Sequence, residues 1–313
     1  MSDQAPARHA LRYDALLLLA AAIWGFAFVA QRAGMEHVGP FVFNGIRFAL
    51  GALVLVPILL HGRRTAALRA KRSTREVGAR PKRPLLRGGL AAGLVLFAGA
   101  SLQQMGLVST TAGKAGFITG LYVVLVPLLG VLFLRQRIGF YNVAAALLAA
   151  GGLYLLSMSE RLAIGSGDSL VLAGAFAWAV HVLVIARFAV RVDPLRLAFT
   201  QFAICAGLSL LTAAAVETIP SAGLRAAAVS ILYGGLLSVG VAYTLQVVAQ
   251  RYAHPAPAAI LLSLEAAFAA LGGAVVLGES LSSRELAGCA VMLGGVLLSQ
   301  ARRRERGEAR AEP

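Results

Sequence analysis

The sequence is dominated by long apolar blocks that short polar segments separate. An α-helix needs roughly 20 apolar residues to cross a hydrocarbon core about 30 Å thick. Because a spanning segment must satisfy its own backbone hydrogen bonds, blocks of this length predict an all-α integral membrane protein. Ten blocks predict ten transmembrane helices, at 15–33, 41–60, 88–107, 115–134, 140–158, 169–188, 197–216, 227–249, 257–277 and 285–300.

The basic residues indicate how the chain crosses the membrane. Most of the 29 Lys and Arg residues lie between the apolar blocks, and they are concentrated in the segment 61–87 and after the last block. The positive-inside rule assigns such segments, and with them both termini, to the cytoplasm. The net charge of +15 therefore indicates topology and contact with anionic lipids at the cytoplasmic face, and not nucleic-acid binding.

The sequence lacks the signatures of several other classes. Cys205 and Cys289 lie inside apolar blocks, where a thiol packs as a small side chain, and no spacing indicates a disulfide framework or a metal site. Neither a phosphate-binding Gly-x-x-x-x-Gly-Lys-Ser/Thr loop nor a zinc-protease or serine-hydrolase motif occurs. We expect no enzyme, no ATP-driven pump, no metal and no cofactor.

The two halves of the chain align with each other. Residues 14–60 match 168–214, and residues 101–157 match 244–300, each without a gap. The identities pair Asp14 with Asp168, Trp24 with Trp178, Pro40 with Pro194, Phe48 with Phe202, Gln103 with Gln246, Ala115 with Ala258, Gly130 with Gly273, and Gly151-Gly152 with Gly294-Gly295.

Each copy contains five predicted spans, so the second copy enters the membrane from the opposite side. The sequence predicts two inverted repeats, 1–159 with the basic cytoplasmic loop 61–87, and 160–313 with a basic cytoplasmic tail. Two nearly equivalent halves can exchange conformations and open one central site to each face in turn. This symmetry favours a secondary-active transporter.

Short motifs in both halves point to a family. They are Ile23-Trp24-Gly25, Arg47-Phe48, Leu102-Gln103-Gln104, Thr110-Thr111-Ala112 and Tyr122-Val-Val-Leu-Val-Pro127, then Val241-Ala-Tyr-Thr-Leu-Gln246, Ser263-Leu264-Glu265 and Leu277-Gly278-Glu279. With these motifs the chain resembles the EamA family of the drug/metabolite transporter superfamily. The resemblance implies a bacterial inner-membrane exporter or exchanger of small metabolites, such as amino acids or drug-like compounds. Gln136 and Ala266 depart from the family pattern, where an acid and a proline are common.

Glu265 lies near the middle of the predicted ninth span. An ionisable residue at that depth costs about 2.5–3.5 kcal/mol on insertion scales and needs a reason to be there. One hypothesis makes it a coupling carboxylate for protons or cations, or the partner of a substrate amine. The alternative is a structural acid that is hydrogen-bonded between helices.

Arg47 lies in the predicted second span, ~9 Å from its periplasmic end. Its planar guanidinium could bind a substrate carboxylate or phosphate. The alternative is that its long side chain extends to the outer lipid headgroups.

Aromatic residues are expected at the same depth. Trp24 and Trp178 lie ~14 Å into their spans, although tryptophan prefers the membrane interfaces. Tyr122, the counterpart of Glu265, and Tyr243 could add hydroxyl groups. These side chains form either a cavity wall or ordinary core packing.

Amides and one imidazole complete the candidate set. Gln103 and Gln246 correspond across the repeat, and they act either as gates or as bridges between helices, of which bridging is the commoner role. We expect His181 to be a hydrogen-bonded core histidine, and Pro127 to kink or hinge its helix.

Three alternatives to a metabolite transporter make distinct structural predictions. A lipid or lipid-carrier flippase would have a cavity that opens sideways to the bilayer. An intramembrane enzyme would have several facing acids or histidines, and a non-transporting scaffold would be a closed bundle without a polar centre. The expected partners are a small-molecule substrate, protons as coupling ion, membrane lipids and a second copy in a homodimer.

Overall fold

A computed structural model describes residues 5–72, 82–135, 138–157, 165–219, 221–277 and 282–308. These residues form helices with short connections, and no strand occurs among them, so the all-α prediction is confirmed for the described chain. Gln136, Gly278, Glu279, the central part of the loop 61–87 and the end of the basic tail lie outside the described residues.

The helices follow one another in an order close to that of the predicted spans. The first half contains α1 (Ala5–Gly34), α2 (Pro40–Arg72), α3 (Lys82–Leu107), α4 (Ala112–Gly120), α5 (Tyr122–Leu134) and α6 (Phe140–Ser157). The second half contains α7 (Ser166–Ala189), α8 (Pro194–Val216), the short α9 (Ser221–Ala226), α10 (Ala228–Leu232), a π-helical segment π1 (Tyr233–Tyr243), α11 (Thr244–Gln250), α12 (Pro255–Leu262), α13 (Glu265–Leu277) and α14 (Ser283–Glu308).

Eight helical stretches of the described chain are long and apolar enough to cross a membrane. They are Leu11–Gly34, Pro40–Gly62, Arg83–Leu107, Ala112–Leu134, Ser166–Ala189, Pro194–Val216, Ala228–Gln250 and Pro255–Gly272. The two other predicted blocks correspond to α6, whose apolar part Phe140–Leu156 is shorter, and to α14, whose last turns are highly charged. The count of ten spans therefore stays a prediction.

Glycines let α6 and α14 pack backbone to backbone. A Cβ atom at Gly152 would lie 2.6 Å from the carbonyl oxygen of Gly288, and one at Gly295 would lie 2.8 Å from that of Ala145. Gly152 and Gly295 are the second glycines of the two aligned Gly-Gly pairs. The α6–α14 contact is one of the most extensive in the molecule, together with those of α3 with α7 and of α2 with α8.

Two of the predicted spans are broken at matching points. The predicted fourth span divides at Leu121 into α4 and α5, and the ninth divides at Ser263-Leu264 into α12 and α13. Leu121 and Leu264 correspond in the internal alignment. Pro127 lies inside α5, and its counterpart Ala270 lies inside α13, so the breaks do not depend on a proline.

The segment π1 has no equivalent in the first half. It covers 11 residues between α10 and α11, whereas the corresponding stretch of α3 is regular α-helix. π-Helical turns are rare and often lie at functional sites. Here the segment runs beside α1 and α2, towards the centre of the bundle.

Candidate functional site

A cavity lies where the broken helices, π1, α1, α2, α3 and α7 meet. All eight residues that were selected from the sequence line it, namely Trp24, Arg47, Gln103, Tyr122, Trp178, Tyr243, Gln246 and Glu265. The rest of the wall is formed by Phe28, Gln31, Thr119, His181, Val182, Ser238 and Leu262. Candidates chosen on separate spans are thus brought to one place.

The cavity is narrow. The volume that the centres of water molecules can occupy is about 40 Å³, which is room for about three waters. Sites for drug-sized ligands usually measure about 300–1,000 Å³. A metabolite can therefore enter only if the surrounding helices move apart.

Glu265 is placed on the cavity wall by the break between α12 and α13. It is the first residue of α13 and is 4% exposed, and its Oε1 atom has no hydrogen-bond partner among the described residues. Tyr122 is likewise the first residue of α5, and its hydroxyl group faces the Glu265 carboxyl group without a hydrogen bond of normal geometry. Glu265 Oε1 is therefore a buried acceptor on the cavity wall that no described residue uses.

Gly25 allows α1 to approach the break closely. A Cβ atom at this position would lie 2.7 Å from the carbonyl oxygen of Glu265 and 2.8 Å from the backbone nitrogen of Ala269. Only glycine permits this contact without displacement of a backbone. Gly25 therefore lets α1 lie directly against the start of α13.

Arg47 points into the bundle. It is 2% exposed, and its Nε and Nη1 atoms donate to Asn44 Oδ1 and Gln31 Oε1, each at 2.9 Å. Its guanidinium carbon lies 5.4 Å and 5.0 Å from the ring centres of Phe43 and Phe48. The side chain is therefore directed into the bundle and not towards the outer headgroups. The sequence left both orientations open, because depth along a helix does not show which face of the helix a residue occupies.

Tyr243 is the centre of an aromatic cluster. Its ring centre lies 4.6 Å from that of Trp24, 6.0 Å from those of Trp178 and Phe48, and 6.1 Å from that of Phe202. Aromatic rings at these separations attract one another, and this attraction adds to the stabilisation that comes from burying their apolar surface. Tyr243 lines the same cavity as the Arg47 guanidinium group and the Glu265 carboxyl group.

The two tryptophans donate to different acceptors. Trp178 Nε1 donates to Gln103 Oε1 at 2.6 Å, which links α7 to α3, whereas Trp24 Nε1 donates to the backbone oxygen of Ser238 in π1 at 3.2 Å. Gln246, the counterpart of Gln103, is buried, and its Oε1 atom has no partner among the described residues. Gln103 is thus a bridge between helices, and Gln246 is not one in this conformation.

His181 has the kind of hydrogen-bond partner that was expected from the sequence. Its Nε2 atom lies 2.8 Å from Gln201 Oε1, and the pair links α7 to α8. Gln201 corresponds to Arg47 in the internal alignment.

Contacts hold the two ends of the bundle together above and below the cavity. At one end Tyr13 of α1 stacks on Tyr252, after α11, with ring centres 4.2 Å apart. At the other end Asp168 of α7 accepts hydrogen bonds from the Thr110 hydroxyl group, after α3, and from the Gly165 amide at 2.9 Å. We call these contacts the tyrosine clasp and the aspartate clasp.

Several polar residues of the site were not predicted from the sequence. Gln31 lies seven residues after Trp24, Asn44 three before Arg47, and Thr119 three before Tyr122. These spacings put them on the same helix faces as the selected residues. A search for polar residues at i±3 and i+7 from each candidate would have found them.

Several known proteins are similar to this chain. A model of the EamA-like transporter family matches residues 11–158 and 165–300. A protein of Archaeoglobus fulgidus named as an uncharacterized transporter is 30% identical over 289 residues, which cover 91% of this chain and 84% of that protein. The uncharacterized inner membrane transporter YedA of Escherichia coli is 27% identical over 290 residues, which cover 88% and 86%.

A solved crystal structure is similar to this chain in fold. The two superpose with a TM-score of 0.72, and the match covers 92% of this chain and 98% of the chain in that structure, at 21% sequence identity.

Proposed function

The chain belongs to the EamA-like transporter family, and we propose that it is a secondary-active transporter that exports or exchanges a small metabolite by alternating access. The observation that carries the proposal is the pair of matching helix breaks beside one central cavity. At both breaks the backbone keeps helical angles and Leu121 and Ser263 still donate hydrogen bonds to carbonyls three or four residues back, so each break is a tight turn within a span. Such turns inside a helix often mark functional hinges, and a matching pair beside one cavity suits alternating access.

The proposed transporter has ten spans in two inverted halves, 1–159 and 160–313. The packing supports this arrangement, since the contact of α3 with α7 is matched by that of α1 with π1 and α11. The helix pairs α2–α8 and α6–α14 each join equivalent members of the two halves. A bundle built this way can change its open side when the halves exchange conformations.

Glu265 is proposed as the coupling group that binds and releases a proton during the cycle. It lies at the point of asymmetry between the halves, because its counterpart is Tyr122. Its Oε1 atom is unbonded among the described residues and buried on the cavity wall, so a proton or a substrate amine would find an acceptor there. Removing a charged carboxylate from water is costly, which favours the uptake of a proton from the cavity.

The hydrogen bonds of the tryptophans are proposed to change with the conformation. In the present one Trp178 bonds Gln103, while Gln246 lacks the equivalent bond from Trp24. If the halves exchange conformations, Trp24 takes Gln246 as its acceptor and Trp178 releases Gln103. The bond of Trp24 to Ser238 in π1 then breaks, and π1 can relax to the regular α-helix of its counterpart in α3.

The orientation and the membrane follow from the distribution of charge and from the relatives. The basic segments assign both termini to the cytoplasm by the positive-inside rule and favour anionic lipids at that face. A bacterial inner membrane is favoured because the Escherichia coli relative is named as an inner membrane transporter.

Reconstitution tests the proposal directly. We expect purified protein in liposomes to catalyse saturable flux or counterflow of a metabolite that thermal stabilisation has first identified as a ligand. We also expect that flux to respond to an imposed pH gradient. A ligand that binds tightly but never crosses the membrane would contradict transport, and flux that ignores the pH gradient would contradict proton coupling.

A further inference from the structure

The cavity wall carries a buried guanidinium group that no carboxylate neutralises within the described chain. Both acceptors of Arg47, Asn44 Oδ1 and Gln31 Oε1, are neutral amide oxygens at 2.9 Å. The Nη2 atom of Arg47 makes no hydrogen bond to a described residue, and Arg47 and Glu265 form no ion pair. One amino group of a fixed cation is therefore left for a ligand.

The guanidinium group is held in place before any ligand arrives. The rings of Phe43 and Phe48 lie against it, with ring centres 5.4 Å and 5.0 Å from its central carbon. Gln31 is itself fixed, because its Nε2 atom donates to the Ala27 carbonyl oxygen at 3.1 Å. A charged group that is already oriented loses little freedom when an anion binds.

Bracing of the helices does not explain the charge. At the equivalent position of the second half, Gln201 links α8 to α7 through His181, as Arg47 links α2 to α1 through Gln31. A neutral pair therefore suffices for that link. A buried charge without a counterion is unfavourable, so its presence on a cavity wall needs another reason.

We propose that Arg47 is the subsite for an anionic group, a carboxylate or a phosphate, on the transported molecule. Gln31 is the positioning residue that turns the guanidinium group towards the cavity, and the rings of Trp24, Trp178 and Tyr243 receive the apolar part of the molecule. The proposal rests on the proposed transport function, whose substrate it narrows to amphipathic anions.

The protein contains its own reporter for this test. Trp24 and Trp178 are the only two tryptophans of the sequence, and both line the cavity. Intrinsic tryptophan fluorescence therefore responds to a ligand that enters the site. Three probes share one aromatic body and differ in their polar group: phenylacetate, phenylphosphonate and the neutral phenylacetamide.

We expect at least one of the two anions to change the fluorescence of the wild type at a concentration about tenfold or more below that needed for phenylacetamide. Arg47→Gln keeps a donor for Gln31 but removes the charge, and it should abolish that preference while the weak response to phenylacetamide remains. The control Arg225→Gln, at an exposed position, should keep the preference.

Equal binding of the anions and the amide by the wild type would overturn the proposal, as would a preference that survives in Arg47→Gln. If Arg47→Gln does not fold, Gln31→Leu replaces it in the test. This variant should weaken the binding of the two anions and leave the binding of phenylacetamide unchanged. Dihexanoyl phosphatidic acid is a further probe, and a preference for it over phenylphosphonate would identify a lipid headgroup as the source of the anion. Flux is measured in a separate experiment. Anion binding without flux would therefore refute the proposed transport function but not the proposed anion subsite at Arg47.

Discussion

Replacing Glu265 by glutamine is expected to reduce transport driven by a pH gradient to the level of protein-free liposomes. Glutamine has nearly the same shape as protonated glutamate but cannot take up or release a proton. Since Glu265 is 4% exposed and its Oε1 atom is unbonded among the described residues, the neutral amide should leave the packing of α13 on α1 intact. The measurement is the flux of an identified ligand into proteoliposomes with an imposed pH gradient.

The matched control for this experiment is Glu36→Gln, which changes an exposed acid outside the helices and should leave the flux unchanged. Thermal unfolding of purified Glu265→Gln shows whether the variant is folded. Undiminished flux in a folded Glu265→Gln variant would contradict the role of Glu265 in coupling.

Substitutions of the two glutamines are expected to shift the conformational equilibrium in opposite directions. Gln103→Leu removes the acceptor of Trp178 and leaves a buried indole N–H group unbonded, at a cost of about 1–3 kcal/mol to the present conformation. Gln246→Leu removes an oxygen atom that no described residue bonds in the present conformation. The same atom is the proposed acceptor of Trp24 in the exchanged conformation, so its loss destabilises that conformation. The ratio of the two conformations should therefore move by about 5- to 150-fold each way.

Hydrogen exchange at the aspartate clasp measures this shift. In Gln103→Leu we expect faster exchange around Thr110 and Asp168, the aspartate clasp, because this clasp is formed in the present conformation and the substitution destabilises that conformation. Gln246→Leu should show the reverse, and the double variant should lie near the wild type. Shifts of both single variants in the same direction would rule out the exchange of partners.

Apolar block length and internal symmetry predicted much of the fold and the site. They led to Trp24, Trp178, Tyr122 and Glu265 because a position within a span gives depth, and the cavity lies at that depth in the structure. They could not give the rotation of a helix about its axis. For that reason the sequence left Arg47 with two orientations, of which the structure shows the inward one.

Other features depend on interactions that composition does not reveal. The breaks at Leu121 and Ser263-Leu264 lie inside blocks that hydropathy predicts as single spans, because the mean hydropathy of a span does not show a local change in backbone hydrogen bonding. The segment π1 depends on a shift in backbone hydrogen bonding. Gln103 and Gln246 are identical residues at equivalent positions in the alignment, but in the structure only Gln103 Oε1 accepts a hydrogen bond from a tryptophan.

The central claim is that a single cavity opens to each side of the membrane in turn, and Thr119→Cys tests it. Thr119 lines the cavity, and its hydroxyl group has no partner among the described residues, so the substitution is mild. The background replaces Cys205 and Cys289 by alanine. Reconstituted protein is then treated with a membrane-impermeant methanethiosulfonate from one side or the other. We expect the introduced thiol to react from either side, and reaction from one side to prevent reaction from the other. Reaction from only one side, or from neither, would contradict alternating access.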